Sequence, residues 1–273
     1  MHGLGNDYIY FDCMQREIAE PEKLSLRLSD RHFGIGGDGI ILMCPSQKAD
    51  CKMRMFNADG SEGKMCGNGI RCVGKLCRDL GYVKGDTCTV ETLSGIKKLK
   101  FFFGNDGKVE AVRVDMGAPV LSGRDIPSTF SGDTVIGKPL NIDFEEYAVT
   151  LVNMGNPHCV VFADPDTVDI EKLGRKFEYN PVFPDRVNTE FVKVIGDNAL
   201  KMRVWERGSG ETFACGTGAC AAAVAAVLNG FADMDVPREI TVNLLGGQLK
   251  IEYPDTVYMT GSATLVFTGS VQL

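Results

Sequence analysis

The stretch "MRMFNADGSEGKMCGNG" (53–69) is met again, without a gap, as "MRVWERGSGETFACGTG" (202–218), an offset of 149 residues that sets Cys66 opposite Cys215. Each copy reads as an alternating strand, a glycine-containing turn, and a Cys-Gly-x-Gly step into a second helix. Working outward, further patches match in the same order. "GLGNDYIYF" (3–11) faces "NMGNPHCVVF" (153–162) and pairs Asn6 with Asn156. "DRHF" (30–33) faces "GRKF" (174–177), "VETLSG" (90–95) faces "VNLLGG" (242–247), and "VDM" (114–116) faces "VYM" (257–259). Matches kept in one order imply a duplicated lobe rather than chance.

Each lobe has the same expected outline. Helices are read at 21–30 and 169–177, followed by strands at 39–43 and 51–56 in the first copy and at 189–195 and 200–205 in the second. The helix after Cys215 is apolar all round over 219–228, which predicts burial inside the sheets of its lobe. It should stop at Asn229-Gly230, as the first should stop at Gly81. The boundary falls near "DMGAPVLSG" (115–123), giving lobes over 1–116 and 117–263, with a last strand at 264–273 expected to cross back to the first. The fold class is therefore α+β. Two pseudo-symmetric lobes are expected, each a strongly curved, mainly antiparallel sheet or barrel around a central helix, with the active site in the cleft between them.

Composition narrows the function. With 273 residues, 44% hydrophobic and 24% charged, the chain reads as a soluble globular protein, and no apolar run reaches the length of a membrane span. A net charge of −7 argues against a nucleic-acid or anionic-membrane partner, and a cytoplasmic location is the default. Ten cysteines without a secretion signal, in a chain with ample core material, do not make a disulfide scaffold. The zinc reading is weak too: no C-x-x-C occurs and there are only three histidines, so no metal is expected. Cys13, Cys44, Cys51, Cys72, Cys77, Cys88 and Cys159 read as small buried hydrophobes. "GIGGDG" (34–39) matches a dinucleotide fingerprint, but a helix precedes it and a strand follows, the reverse of the order needed, so no nucleotide is expected.

Cys66 and Cys215 ask for a different reading. Each lies two residues before a good helix N-cap, Asn68 or Thr217, which would set the sulfur among unpaired backbone N–H groups at the positive end of a helix. That position is expected to lower a thiol pKa toward neutrality. Two such helix ends facing one ligand suit a reaction that removes a proton from one face of a carbon and delivers another to the opposite face. The N–H groups would meanwhile hold the carboxylate beside that carbon.

"MHGLGND", "FNADGSEGKMCGNGIRC", "NMGNPH", "ERGSGET" and "ACGTGAC" together resemble the diaminopimelate epimerases, two-cysteine epimerases that use no pyridoxal phosphate. The resemblance implies interconversion of L,L- and meso-diaminopimelate, in lysine and cell-wall precursor biosynthesis. It needs no cofactor and implies a cytoplasmic homodimer. It makes Cys66 and Cys215 the acid–base pair, assisted by His158 and Glu206. Asn6, Asn57, Asn156 and Asn188 would line the polar pocket with Glu206, and Arg207 would anchor the distal carboxylate. Gly67, Asn68, Gly216 and Thr217 would bind the reacting carboxylate through their N–H groups.

Proline racemases share the architecture but typically carry a histidine where this chain has Asn68. An epimerase of another amino acid is thus the nearest alternative, and a thiol redox or metal-binding protein the alternative from another class. Many relatives have Gln where this chain has Gly39, so backbone or water should replace that contact. Relatives also usually carry a few strand residues before "MHG", so the first strand is expected to be short.

Overall fold

The computed structural model describes residues 1–123, 125–232 and 239–272. It divides into two compact units, one of Met1–Asp115 with the stretch from Thr260 onward, the other of Met116–Met259. Among the described residues are four helices: α1 (Pro21–Leu28), α2 (Gly67–Asp79), α3 (Ile170–Glu178) and α4 (Gly216–Leu228).

In the first unit the strand Ile9–Asp12 runs parallel to Gly39–Cys44, which is antiparallel to Cys51–Asn57. The last of these takes the two-residue strand Glu62–Gly63 as a hairpin and pairs in parallel with Thr87–Thr92. Gly95–Phe103 and Val109–Gly117 complete the path antiparallel. In the second unit Pro157–Phe162 runs parallel to Asn188–Gly196, which is antiparallel to Ala199–Glu206. That strand takes Gly210–Thr212 as a hairpin and pairs in parallel with Glu239–Leu244, itself antiparallel to Gly247–Glu252. The sequence repeat is thus a repeat of strand pairing. Each parallel join has a helix in its connection, because parallel neighbours need a crossover whereas antiparallel ones can be joined by a tight turn. The second unit adds the hairpin Lys138–Ile142 and Glu145–Asn153 at its edge. Both strand paths are open, so the sheet alternative holds and no closed barrel forms among the described residues.

The central helices differ in how they are buried. From Ala219 to Ala226 every residue of α4 is fully buried. It packs on strands of the second unit from Glu145–Asn153 to Gly247–Glu252. Ala and Gly make this possible, since a helix of small side chains lets strands approach on every side. The core helix α2 carries Arg71 and Lys75 inward instead, and both side chains make hydrogen bonds there. Lys75 Nζ donates to the Val109 carbonyl at 2.8 Å and pairs with Asp79 at 2.9 Å. Arg71 donates to Gly67 O, the Asn68 amide oxygen and Ser262 O.

The helix stops fall as expected: Leu80 and Asn229 close the helices, followed by Gly81 and Gly230 at positive φ, which glycine adopts without strain. The short first strand is His2–Gly3, paired with Asn6–Asp7. The expected strand at the C-terminus does not form. Thr264 bridges His2 and residues 265–272 are irregular, since beyond that bridge no ladder hydrogen bonds are made; Leu273 lies outside the described residues.

Candidate active site

Both thiols sit at the head of a core helix, which begins two residues earlier than the sequence suggested. Cys66 and Cys215 are themselves the N-caps, in extended backbone at φ −127° and −115°. Each sulfur accepts a hydrogen bond from the glycine N–H three residues on, Gly69 at 3.3 Å and Gly218 at 3.4 Å. Asn68 and Thr217 are the second residues of their helices rather than caps. The expectation failed because cap preferences favour oxygen acceptors, whereas here a sulfur performs that task. Both glycines are also sites of close approach. A Cβ at Gly69 would lie 2.6 Å from Ile41 Cδ1, and one at Gly218 would lie 2.6 Å from Glu190 Oε1.

Around Cys66, in the first unit, the setting is polar and partly open. Its sulfur lies 3.3 Å from the Asn6 amide oxygen, and the Asn6 amide nitrogen donates to Asp38 at 2.7 Å. Arg31 makes a two-pronged pair with Asp7 and also reaches Asp38 at 3.0 Å. Burial, and then the nearby Asp7 charge, raises the Asp38 carboxyl above the usual carboxylate range. Asn57 accepts from the Tyr8 hydroxyl at 3.4 Å and donates to Ser61 at 3.0 Å. Gly39 has no room for a side chain on this backbone, since a Cβ there would meet the Phe56 carbonyl at 2.1 Å.

Around Cys215, in the second unit, the setting is closed and acidic. The thiol is buried, 3.5 Å from the Thr217 hydroxyl and within reach of the charge of Glu206, whose carboxylate accepts from Thr212. Burial raises the Cys215 pKa well above the ordinary thiol range, and the negative charges of Glu206 and Glu190 raise it further. The hydrogen bonds from Thr217 and Gly218 act in the opposite sense and lose. The expected lowering by the helix end is therefore reversed at this cysteine, because desolvation and two carboxylates outweigh one turn of helix dipole. Burial likewise raises the Glu206 carboxyl.

His158 is fully buried on the strand Pro157–Phe162. Its Nδ1 lies 2.7 Å from Glu190 Oε1 and its Nε2 lies 3.0 Å from the Asn156 amide oxygen. Glu190 is fully buried as well, and its second oxygen has no partner among the described residues. Glu190 was missed in the sequence, although an acid within "NTEFV" was the available signal, since a buried carboxylate is rarely left without a task. Asn188 spends its side chain internally, donating to Pro157 O at 2.8 Å and accepting from Arg207 N at 2.9 Å. It ties two turns together. Arg207 is exposed and donates to Asp185 O at 2.9 Å, with no carboxylate partner among the described residues. Gly67, Gly216 and Thr217 open their helices, where backbone N–H groups lack intrahelical acceptors.

Comparison with known proteins places this geometry in context. The family model "Diaminopimelate epimerase" matches residues 1–122 and 150–266. The chain is 52% identical to the diaminopimelate epimerase of Acetivibrio thermocellus, with 100% of this chain and 97% of the relative aligned. It is 50% identical to that of Methanococcus maripaludis strain S2, over 100% and 98%. Among solved structures, a probable proline racemase from Agrobacterium radiobacter, with bound carbonate, superposes with a TM-score of 0.67 at 16% identity, covering 92% of this chain and 81% of the other. A hydroxyproline epimerase from Agrobacterium vitis gives 0.66 at 15%, covering 96% and 87%, a likeness of fold alone. With half its residues identical to these relatives along the whole chain, the protein belongs to the diaminopimelate epimerase family.

Proposed function

We propose that the chain is an isomerase that interconverts L,L- and meso-diaminopimelate by two-base proton transfer at one α-carbon, as a cytoplasmic homodimer in lysine and cell-wall precursor synthesis. The observation that carries the reading is the matched pair of thiol N-caps, one in each copy of the repeat. Racemisation of proline or hydroxyproline is the weaker reading, since those likenesses stand at 15–16% identity. A redox role is weaker still, since it leaves the matched helix ends unexplained.

In this mechanism the reacting carboxylate lies on the opening N–H groups at Gly67, Asn68, Gly216 and Thr217. There it gains negative charge as the Cα–H bond breaks, and preorganised donors stabilise that charge. Cys215, whose pKa burial and two carboxylates hold high, is the resting thiol and proton donor. Cys66 is then the base in that direction, and reprotonation exchanges the roles. The Glu206 charge acts on Cys215, and His158 is held by Glu190 and Asn156. Asn6 and Asn57 offer neutral donors and acceptors to a zwitterion, and Arg207 offers the cation for the distal carboxylate.

Incubating reduced protein with L,L-diaminopimelate and separating stereoisomers chromatographically tests the reading. Appearance of the meso isomer is expected. An unchanged L,L pool, with proline or hydroxyproline epimerised instead, would transfer the chain to the other reading.

A further inference from the structure

Three thiols outside the candidate catalytic pair form a cluster. Cys51 opens the strand Cys51–Asn57, Cys77 lies in the last turn of α2, and Cys88 lies on Thr87–Thr92. All three are free and buried, and their sulfurs lie within 4.8 Å of one another. Two are fixed to one another through their chain neighbours. Asp50 donates its N–H to Thr89 O at 3.1 Å and its carboxylate accepts from Thr89 N–H at 2.7 Å, tying the residue before Cys51 to the residue after Cys88. The helix brings the third from above the sheet. Three sulfurs are therefore held together by three different elements, more than small buried hydrophobes require.

We propose that Cys51, Cys77 and Cys88 form a binding site for a soft, three-coordinate thiophile, specifically trivalent arsenic. Soft thiolate donors select soft centres. Trivalent arsenic is pyramidal, and with bonds of roughly 2.3 Å it sets its sulfurs roughly 3.5 Å apart, so the cluster closes by at most about 1.4 Å. Charge then chooses among candidates. Asp50 and Asp12 lead the fixed charges acting on these sulfurs, and both are negative. Copper(I) on three thiolates would leave two uncompensated negative charges in the core, beside carboxylates, at a large desolvation cost. Zinc requires a fourth ligand in a structural site, and the described residues supply three.

Arsenous acid reacts without net charge. Three S–H and three As–OH bonds break, three As–S bonds form, and three waters leave, with no change of oxidation state. Entry is by the end of α2, where the helix stops two residues past Cys77 and exposed Leu80 begins the turn. Binding should consequently be slow, limited by opening of that last turn.

The test uses the full chain, reduced with a phosphine rather than a thiol, incubated with arsenite and freed of excess. Expected are one arsenic per chain with three sulfur neighbours by X-ray absorption, and three fewer titratable thiols. Cys77→Ser and Cys88→Ser should each weaken binding at least about tenfold, equivalent to about 1.4 kcal/mol. Cys13→Ser, at a buried thiol in a separate core cluster beside Cys44, should leave it unchanged. Arsenic bound by two sulfurs, or binding that survives Cys77→Ser, would overturn the assignment. If the serine variants do not fold, X-ray absorption on the unaltered chain decides alone. The inference is independent of the roles given to Cys66 and Cys215.

Discussion

At the scale of single residues, the two candidate catalytic thiols are chemically unequal. Cys215 is buried among Glu206 and Glu190, while Cys66 is half-exposed beside neutral Asn6. Iodoacetamide, which reacts with thiolates, should therefore label Cys66 before Cys215, as read by peptide mapping at partial modification. Labelling in the reverse order would contradict the resting assignment. The pH dependence has a definite sign. Cys215 must keep its proton to act as donor, so the alkaline limb of activity should lie above the ordinary thiol range. Glu206→Gln removes a negative charge that raises this pKa, so the limb should move to lower pH in that variant. Arg207→Ala should raise KM by roughly 10–100-fold, the loss of a charged hydrogen-bonded contact of about 1.5–3 kcal/mol, with a smaller effect on kcat. Cys66→Ala and Cys215→Ala should each lower kcat by at least about 10²–10⁴-fold while the circular dichroism spectrum is retained.

At the scale of elements, a helix end and a strand end must meet with little slack. The third residue of each Cys-Gly-x-Gly motif gives its N–H to the sulfur and its empty side to a neighbour. Gly218→Ala would press a methyl against Glu190, and we expect a loss of about 1–3 kcal/mol of stability, measured by urea unfolding. The buried His158–Glu190 pair is a second joint between elements. Removing one partner by Glu190→Ala leaves a buried ring nitrogen without its partner and should cost roughly 1–3 kcal/mol, whereas Glu190→Gln keeps the shape and should cost less. Much of this level was legible in the sequence. The strands around 51–57 and 199–206, the all-apolar α4 and the glycine stops follow from periodicity and backbone preference. The N-caps were misplaced by two residues because sulfur is not the usual capping atom. Glu190 stayed hidden because its partner is 32 residues away and is brought near only by parallel pairing of the two strands. The direction of the Cys215 shift was illegible for the same reason: it depends on which carboxylates folding gathers around the thiol.

At the scale of the whole molecule, a sequence repeat became a repeat of strand pairing, each copy parallel, antiparallel and parallel again around a core helix. A duplicated half with a thiol at one helix end has a chemical use when the two halves serve one substrate. The proposed function rests on that use: one sulfur on each face of a single α-carbon. A one-base mechanism would return the same proton, or exchange it while the configuration is retained. Two bases must bring the new proton from solvent on the opposite face. The direct measurement is incubation of the reduced enzyme with L,L-diaminopimelate in deuterated water, followed by mass and stereochemical analysis of the product at low conversion. We expect meso product carrying a single deuterium at the inverted α-carbon; meso product without deuterium, or deuterium in substrate whose configuration is unchanged and no meso product, would contradict the two-base account.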